Sequence, residues 1–160
     1  YELNRAELGT IQLDDWLQRF VSAIEPLYTE HLLVVEAAEP IQLVADGKLL
    51  KTALLNLIDN ACKYSEHGSV VRITLALKPG MIGIAVMDQG VGISSADQVS
   101  IFDEYVRVAS EKEIFGLGLG LAFVQQIMKL HGGSVELTSA LMKGSTFTIW
   151  FPEKLTHQSK

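Results

Sequence analysis

Residues 54–64 have a helical periodicity that separates an apolar side from a polar side. At about 100° per residue, Asn56, Asn60 and Lys63 fall within an arc of roughly 60°. The apolar residues of the same helix project from the other side and are Leu50, Leu54, Leu57, Ile58 and Ala61. Such a helix buries its apolar side against a second layer of structure. Its polar side is either a solvated surface or a place where amide oxygens suit Mg²⁺ and an ammonium suits phosphate.

Length and composition limit what the chain can be. Its 160 residues suit one domain, and a hydrophobic content of 48% is enough for one sizeable core. The net charge of −6 argues against binding through the phosphates of nucleic acid, so we expect no nucleic-acid partner. The single cysteine, Cys62, suits a reducing compartment, so we expect a cytoplasmic location. No run reaches the roughly 18 apolar residues of a membrane span, and the first residue, Tyr1, leads us to expect a fragment of a longer protein.

Hydrophobic periodicity and turn residues predict alternating helices and strands. The predicted helices cover residues 1–8, 15–30, 47–64 and 119–130, and the predicted strands cover residues 11–13, 32–35, 41–44, 70–77, 81–87, 134–138 and 146–151. Asp14 and Asp46 are expected to cap the second and third helices, and Pro26 to kink or end the second. The strands at 32–35 and 41–44 are expected to form a hairpin-like pair. The pattern predicts one α/β domain with helices on a largely antiparallel sheet.

An acidic residue followed by two glycines ends one of the apolar strands, in the sequence Asp88-Gln89-Gly90-Val91-Gly92. Aspartate and glycine are ordinary residues of a tight turn. An ionised carboxylate is also an acceptor, so Asp88 could receive a hydrogen bond from an exocyclic amine such as that of adenine. The glycines would then let a flat base lie close to the backbone. Both interpretations fit this segment taken alone.

A glycine-rich segment at a predicted helix start carries Gly116, Gly118 and Gly120. Backbone N–H groups at such a helix start form a cradle for phosphate. A dinucleotide-binding fingerprint is the competing interpretation, but it needs an apolar strand directly before the glycines. The charged residues 111–113 stand there instead, and Phe123 follows where that pattern has a glycine. We therefore favour the phosphate cradle.

Together these motifs resemble the catalytic, ATP-binding domain of sensor histidine kinases, in the wider ATPase group that includes gyrase B subunits and mismatch-repair ATPases. The similar segments, in the order of that family, are residues 56–64 (N box), 88–92 (first glycine box), 102–107 (F box), 116–121 (second glycine box) and 144–146 (last glycine box). The resemblance covers about residues 11–152. It implies that residues 1–10 are the end of a dimerisation domain with acceptor helices, and that residues 153–160 are a flexible tail.

The resemblance implies a fold, two cofactors and a set of site residues. The fold is a two-layer α/β sandwich, the Bergerat ATP-binding fold, whose mixed and largely antiparallel sheet is covered on one face by three helices. The cofactors are ATP and Mg²⁺. Asn60 would ligate Mg²⁺, with Asn56 beside it and Lys63 at the phosphates, while Asp88 would bind the adenine amine and Thr146 would support that end. The other implied nucleotide-binding residues are Tyr64, Gly90, Gly92, Ile93, Phe102, Arg107, Gly116, Leu117, Gly118, Leu119, Gly120 and Leu121, with residues 106–115 acting as a lid.

Asn56 distinguishes the branches of this group. Its ATP hydrolases have a glutamate four residues before the metal-binding asparagine, and that glutamate activates water. The amide of Asn56 cannot act as a general base near neutral pH. The resemblance therefore implies a kinase that transfers the γ-phosphate of ATP to a histidine on a separate dimerisation domain. A degenerate regulatory module and a stand-alone ATPase are the alternatives.

The implied partners are the chain's own dimerisation domain and the receiver domain of a response regulator, within a homodimeric parent that is cytoplasmic or anchored in the inner membrane. No acceptor-histidine motif stands in the chain, whose four histidines are His31, His67, His131 and His157. Each of the four is expected to be solvated or to cap a helix. Leu117 departs from the family pattern, which has small or hydroxyl residues there, so one side-chain contact near the phosphates is expected to be missing.

Overall fold

A computed structural model of the chain describes residues 5–99 and 117–153, with side chains described from Gly120 onward in the second range. The elements are, in chain order, β1 (Gly9–Gln12), α1 (Leu13–Ile24), a 3₁₀ turn (Glu25–Leu27), β2 (Leu32–Glu36), β3 (Gln42–Ala45), α2 (Gly47–Lys63), β4 (Val70–Lys78), β5 (Met81–Asp88), α3 (Ser95–Gln98), α4 (Leu117–Leu130), β6 (Ser134–Ser139) and β7 (Ser145–Pro152). Most of the predicted helices and strands are confirmed to within a few residues.

Five of the strands form one sheet in the order β2-β4-β5-β7-β6. The β2–β4 pair is parallel, and the other three pairs are antiparallel. The strands β1 and β3 form a separate antiparallel pair. The predicted mixed and largely antiparallel sheet is therefore confirmed.

The helices α1, α2 and α4 cover one face of this sheet. Ile73, Val86 and Phe147 lie side by side in β4, β5 and β7, and all three are buried in the core. Because side chains alternate along a strand, this row marks the face that packs on the helices. The apolar side predicted for α2 is buried in the same core, where its residues are Leu50, Leu54, Leu57, Ile58 and Ala61. The expected two-layer sandwich with three covering helices is confirmed, and α3 is a further single turn.

The predicted hairpin of residues 32–35 and 41–44 is wrong. Leu33 of β2 pairs with Val71 of β4 in parallel, and Leu43 of β3 pairs with Ile11 of β1. Alternation of apolar and polar residues specifies which face of a strand is buried, but it does not specify the neighbouring strand. Two strands close in sequence therefore joined different sheets.

Two helix starts test the capping predictions. Asp46 is confirmed as the N-cap of α2, since Oδ1 accepts hydrogen bonds from the backbone N–H groups of Lys48 and Leu49 at 3.0 and 3.1 Å. Asp14 is not the N-cap of α1, because the helix begins at Leu13 and Gln12 occupies the cap position. The Asp14 carboxylate instead accepts from the side chain of Gln12 at 2.8 Å.

Two further boundaries follow from local chemistry. Pro26 lies in the 3₁₀ turn that follows α1, so the predicted early stop of this helix is confirmed. The helix expected at residues 1–8 is not present over residues 5–8, which have no regular structure. There the backbone N–H of Glu7 donates to Asp46 Oδ2 at 2.8 Å, which ties this segment to the start of α2.

Candidate functional site

The polar side of α2 faces the first turn of α4. A Cβ atom added to Gly120 would lie 3.2 Å from Asn56 Oδ1 and 3.9 Å from Asn60 Nδ2. The glycine therefore lets the backbone of α4 approach two side-chain amides closely. The first turn of a helix has backbone N–H groups without intrahelical partners, and these attract anions. The side-chain amides of Asn56 and Asn60 thus lie beside the first turn of α4. The sequence analysis had assigned Asn56, Asn60 and Gly120 to one site.

The two asparagines differ in their hydrogen bonding. Asn56 Nδ2 donates to the carbonyl oxygen of Thr52 at 3.0 Å, which leaves its Oδ1 toward α4. Asn60 Nδ2 is buried and has no partner among the residues whose side chains the structure describes. A buried polar atom left without a partner costs about 1–3 kcal/mol. Such an atom is therefore typical of a position that a ligand completes.

Lys63 stands in the last turn of α2, on the same side as the asparagines. Its Nζ lies 3.1 Å from Asp59 Oδ2, and the two side chains are 54% and 47% exposed. The sequence analysis placed Lys63 on the polar side of α2, but it did not identify this ion pair. Asp59 is therefore a charged neighbour of the site that the sequence analysis missed, although its spacing of four residues from Lys63 is a recognisable signal.

Asp88 ends β5 at the other end of the candidate site. Its Oδ1 accepts hydrogen bonds from the backbone N–H groups of Gly90 at 2.8 Å and Ser145 at 3.2 Å. Its Oδ2 has no hydrogen-bond partner in the described part of the chain. Burial raises the pKa of Asp88, and the two N–H groups offset this only in part. One oxygen is thus held by the protein while the other is available to a donor.

The loop after Asp88 fits tightly between the end of α2 and the β6–β7 turn. A Cβ atom at Gly90 would collide with the carbonyl oxygen of Tyr64, which accepts a hydrogen bond from Val91 N at 3.2 Å. Gly92 has a φ of +74°, and a Cβ atom there would collide with the carbonyl oxygen of Ala140. These two glycines are required by the packing of the loop itself. The tight turn therefore accounts for both glycines, and their contact with a nucleotide base stays a prediction. Asp88 keeps one oxygen available to a ligand.

Ser145 is a site residue that the sequence analysis missed. It pairs directly with Asp88 across β5 and β7, is 7% exposed, and its Oγ lies 2.7 Å from Ser139 Oγ. Thr146, which the resemblance had implied at the adenine end, pairs with Met87. Because alternate residues of a strand face opposite sides, Thr146 points away from the side that carries Asp88. The assignment of Thr146 is therefore corrected, and alternation from the apolar Phe147 could have identified Ser145.

The structure places the other implied residues as follows. Ile93 is partly buried against the core, and its backbone N–H donates to Ser139 Oγ at 2.8 Å. Leu121 is 0% exposed and belongs to the core, so its side chain does not line the site. Gly118 lies in the first turn of α4, and the side chains of Leu117 and Leu119 lie outside the described residues. Phe102, Arg107, Gly116 and the predicted lid, residues 106–115, also lie outside them.

The histidines are not all solvated as expected. His131 is 1% exposed; its Nδ1 donates to the Ile127 carbonyl oxygen at 2.8 Å and its Nε2 accepts from Asp46 N at 3.0 Å. Of the two expected roles, solvation is wrong here and capping is correct, because Nδ1 bonds a carbonyl oxygen of the last turn of α4. The ring also joins the end of α4 to the start of α2. His67 is exposed and its Nε2 lies 2.6 Å from Glu30 Oε2. His157 lies outside the described residues.

Clusters of metal-binding side chains and membrane-spanning helices are both absent from the described residues. Within the described ranges, no group of three or more His, Cys, Asp or Glu side chains could hold a metal ion. No helix in the part of the chain that the structure describes is long and apolar enough to span a bilayer.

Comparisons with known proteins identify the family of this chain. The model of the histidine kinase-, DNA gyrase B- and HSP90-like ATPase family matches residues 45–155. The chain is 40% identical over 123 residues to the sensor-like histidine kinase SenX3 of Mycolicibacterium smegmatis, covering 76% of this chain and 32% of that protein. It is 34% identical over 152 residues to the signal transduction histidine-protein kinase ArlS of Staphylococcus epidermidis, covering 93% of this chain and 33% of that protein. The chain thus spans about a third of the length of these relatives.

Solved structures give the same result. The mycobacterial sensor histidine kinase MprB superposes with a TM-score of 0.76 at 27% identity, covering 91% of this chain and 97% of that chain. Full-length ShkA in complex with AMPPNP superposes with a TM-score of 0.77 at 27% identity, covering 94% of this chain and 32% of that chain. The chain belongs to the histidine kinase-, DNA gyrase B- and HSP90-like ATPase family, and within it to the ATP-binding catalytic domains of histidine kinases.

Proposed function

We propose that this domain binds MgATP between α2, the first turn of α4 and the loop after Asp88, and transfers the γ-phosphate to a histidine on a separate dimerisation domain. The observation that carries the proposal is the approach of Gly120 to Asn56 and Asn60. It brings an anion-binding helix start and two side-chain amides to one place. A relative whose structure was solved with AMPPNP, ShkA, has the same fold.

The adenine end is set by Asp88. Its Oδ1 is already engaged by Gly90 and Ser145, so Oδ2 is the acceptor that can receive the exocyclic amine of adenine. Guanine has a carbonyl oxygen at that position, and two acceptors facing each other repel. The site should therefore prefer adenine nucleotides to guanine nucleotides.

The phosphate end is set by α2 and α4. The first-turn N–H groups of α4 would bind phosphate oxygens, and Lys63 would add a positive charge. Mg²⁺ on a nucleotide commonly takes one or two protein oxygens and completes its shell with phosphate oxygens and water. Rotation of the Asn60 amide by 180° would present Oδ1 where the unpartnered Nδ2 now lies, so the residues fit this ion. When bound, the ion neutralises charge on the transferred phosphate.

Asn56 supports transfer in preference to hydrolysis. Its amide is fixed by Thr52 and cannot remove a proton from water at neutral pH. The domain would therefore position the nucleotide while the imidazole of the acceptor histidine supplies the nucleophile. We propose that the phosphate then passes to the receiver domain of a response regulator. The parent would be a homodimer, and it would be cytoplasmic or anchored in the membrane.

A transfer assay with labelled ATP tests this proposal. The domain is mixed with a second polypeptide that carries the acceptor-helix domain of the parent kinase, and with Asn60→Ala as the inactive control. The expected result is acid-labile label on the acceptor, together with little steady release of inorganic phosphate by the domain alone. Rapid phosphate release by the domain alone would instead favour a stand-alone ATPase. Nucleotide binding without any transfer would favour a regulatory module.

A further inference from the structure

Asp59 places a negative charge directly beside the candidate phosphate site. It precedes Asn60 in α2, and its Oδ2 lies 3.1 Å from Lys63 Nζ. Lys63 has no other ion pair in the described part of the chain. Both side chains are about half exposed, so the pair can open without disturbing the core.

Two partly buried groups lie close enough to Asp59 for its charge to add to the effect of burial on their pKa values. Tyr28 follows the 3₁₀ turn and is partly buried; burial first, and then the charge of Asp59, raises its pKa to about 12. Burial, and then the charges of Asp59 and Asp88, raises the pKa of Cys62 to about 11. Both groups are therefore neutral near pH 7, and Lys63 is the one neighbour among these that can compensate the carboxylate.

We propose that Asp59 is a positioning residue that competes with nucleotide phosphate for Lys63. The inference rests on the proposed function, because it concerns the cation that faces the phosphates there. In the free domain, Asp59 holds the ammonium along α2. Nucleotide binding requires the ammonium to exchange this carboxylate for a phosphate oxygen. Asp59 therefore lowers the affinity for nucleotides in proportion to their negative charge.

The strength of the pair is suited to such an exchange. Exposed ion pairs spaced by four residues on a helix shift an equilibrium by about twofold. The carboxylate would in addition repel the phosphates across a short distance, and this repulsion is screened by salt. A competitor of this kind is easily displaced by a triphosphate, but it discriminates between ligands of different charge.

Nucleotide titrations of Asp59→Asn test the inference. The affinity for MgATP is expected to rise about two- to fivefold, the affinity for ADP to rise less, and the affinity for adenosine to stay unchanged. The gain should shrink as ionic strength increases, which a purely structural effect would not do. Asp59→Glu, which keeps the charge, is expected to retain the affinity of the unaltered domain. Glu66→Gln is the matched control, since it neutralises an exposed acid near the end of α2 that forms no ion pair within the described ranges.

The role of Lys63 is isolated by a double change. In a Lys63→Met background, Asp59→Asn should no longer raise the affinity for ATP beyond the small gain expected from lost repulsion. An equal gain in ATP affinity in both backgrounds would overturn the proposed competition for Lys63. A loss of ATP affinity in Asp59→Asn would also overturn it, because Asp59 would then support binding of the metal ion. Normal ATP binding with no effect of Asp59→Asn overturns this inference alone. Absence of ATP and ADP binding by every variant overturns the proposed function with it.

Discussion

The backbone N–H of Ser145 donates to Asp88 Oδ1 at 3.2 Å, which joins the last residue of β5 to the first residue of β7. The bond fixes the carboxylate so that its second oxygen remains available beside the loop of residues 88–92. Through its backbone N–H, Ser145 thereby supports the carboxylate that we propose binds adenine.

Asp88→Asn should weaken ATP binding by between about tenfold and a hundredfold, because a hydrogen bond to a charged group is lost and an amide N–H₂ would face the adenine amine. The same amide could donate to the carbonyl oxygen of guanine, so the preference for ATP over GTP should narrow. Titration with both nucleotides measures this. Asp15→Asn, at an exposed acid of α1 paired with Arg19, is the control and should change neither affinity.

Nucleotide binding should weaken on acidification, and the loss should begin at a higher pH than it would if Asp88 had the pKa of an ordinary aspartate. Burial raises the pKa of Asp88, and a protonated carboxyl offers one acceptor oxygen fewer. Titrations with adenosine, which has no phosphates that titrate, across the acidic range measure the effect. A wild-type profile that coincides with the profile of Asp88→Asn would contradict it.

The raised pKa of Asp88 affects stability in the opposite direction from nucleotide binding: acidification weakens binding but increases the contribution of Asp88 to the free energy of unfolding. Because the pKa of Asp88 is raised in the folded state, the folded chain binds more protons than the unfolded chain between the ordinary pKa and the raised one. The contribution of Asp88 to the free energy of unfolding therefore falls as the pH rises through this window. Urea unfolding of the wild type and Asp88→Asn at several pH values should show their difference changing in that direction.

Gly120→Ala should lower ATP affinity with little change in the stability of the fold. The new methyl group would press on Asn56 Oδ1 at 3.2 Å and occupy the approach between the two helices. ATP affinity should fall severalfold, while the better helix propensity of alanine, about 1 kcal/mol, offsets any loss of stability. Gly9→Ala is the matched control, because a Cβ atom there meets nothing within 4 Å. Unchanged ATP affinity in Gly120→Ala would mean that the nucleotide does not lie against this turn.

His131→Leu should lower the free energy of unfolding by about 2–4 kcal/mol, since it leaves the buried Asp46 N–H and the Ile127 carbonyl oxygen without their partner. His67→Leu, at an exposed position, should change it by at most about 0.5 kcal/mol. Urea unfolding measures both values. If the two variants had equal stability, the bridge from α4 to α2 would have no energetic significance.

Most of the fold could be predicted because the apolar residues recur at the regular spacing of strands or helices. The alternation at Val71 and Ile73 and the stripe of Leu50, Leu54 and Leu57 each define a buried face, and the structure buries all of them. The partners of β2 and β3 could not be predicted in the same way. Strand pairing depends on contacts distant in the chain, which a local pattern does not encode.

Part of the candidate site was predictable from the sequence, namely the residues whose positions follow from local helical geometry. Asn56, Asn60 and Gly120 lie close together, and helical spacing and a glycine at a helix start both restrict where such residues can lie. Their role in binding stays a prediction. Ser145 was missed because identifying it requires the register between β5 and β7. The burial of His131 likewise depends on how α4 sits on α2, which no spacing in the sequence reveals.

The central claim is that the amides of α2 and the first turn of α4 hold MgATP. Calorimetric titration with ATP in the presence and absence of Mg²⁺, on the unaltered domain and on Asn60→Ala, tests it most directly. We expect Mg²⁺ to strengthen ATP binding to the unaltered domain, and we expect Asn60→Ala to lose most of this gain. The melting temperature of Asn60→Ala should stay close to that of the wild type. Absence of ATP binding at millimolar concentration, or an equal gain from Mg²⁺ in Asn60→Ala, would contradict it.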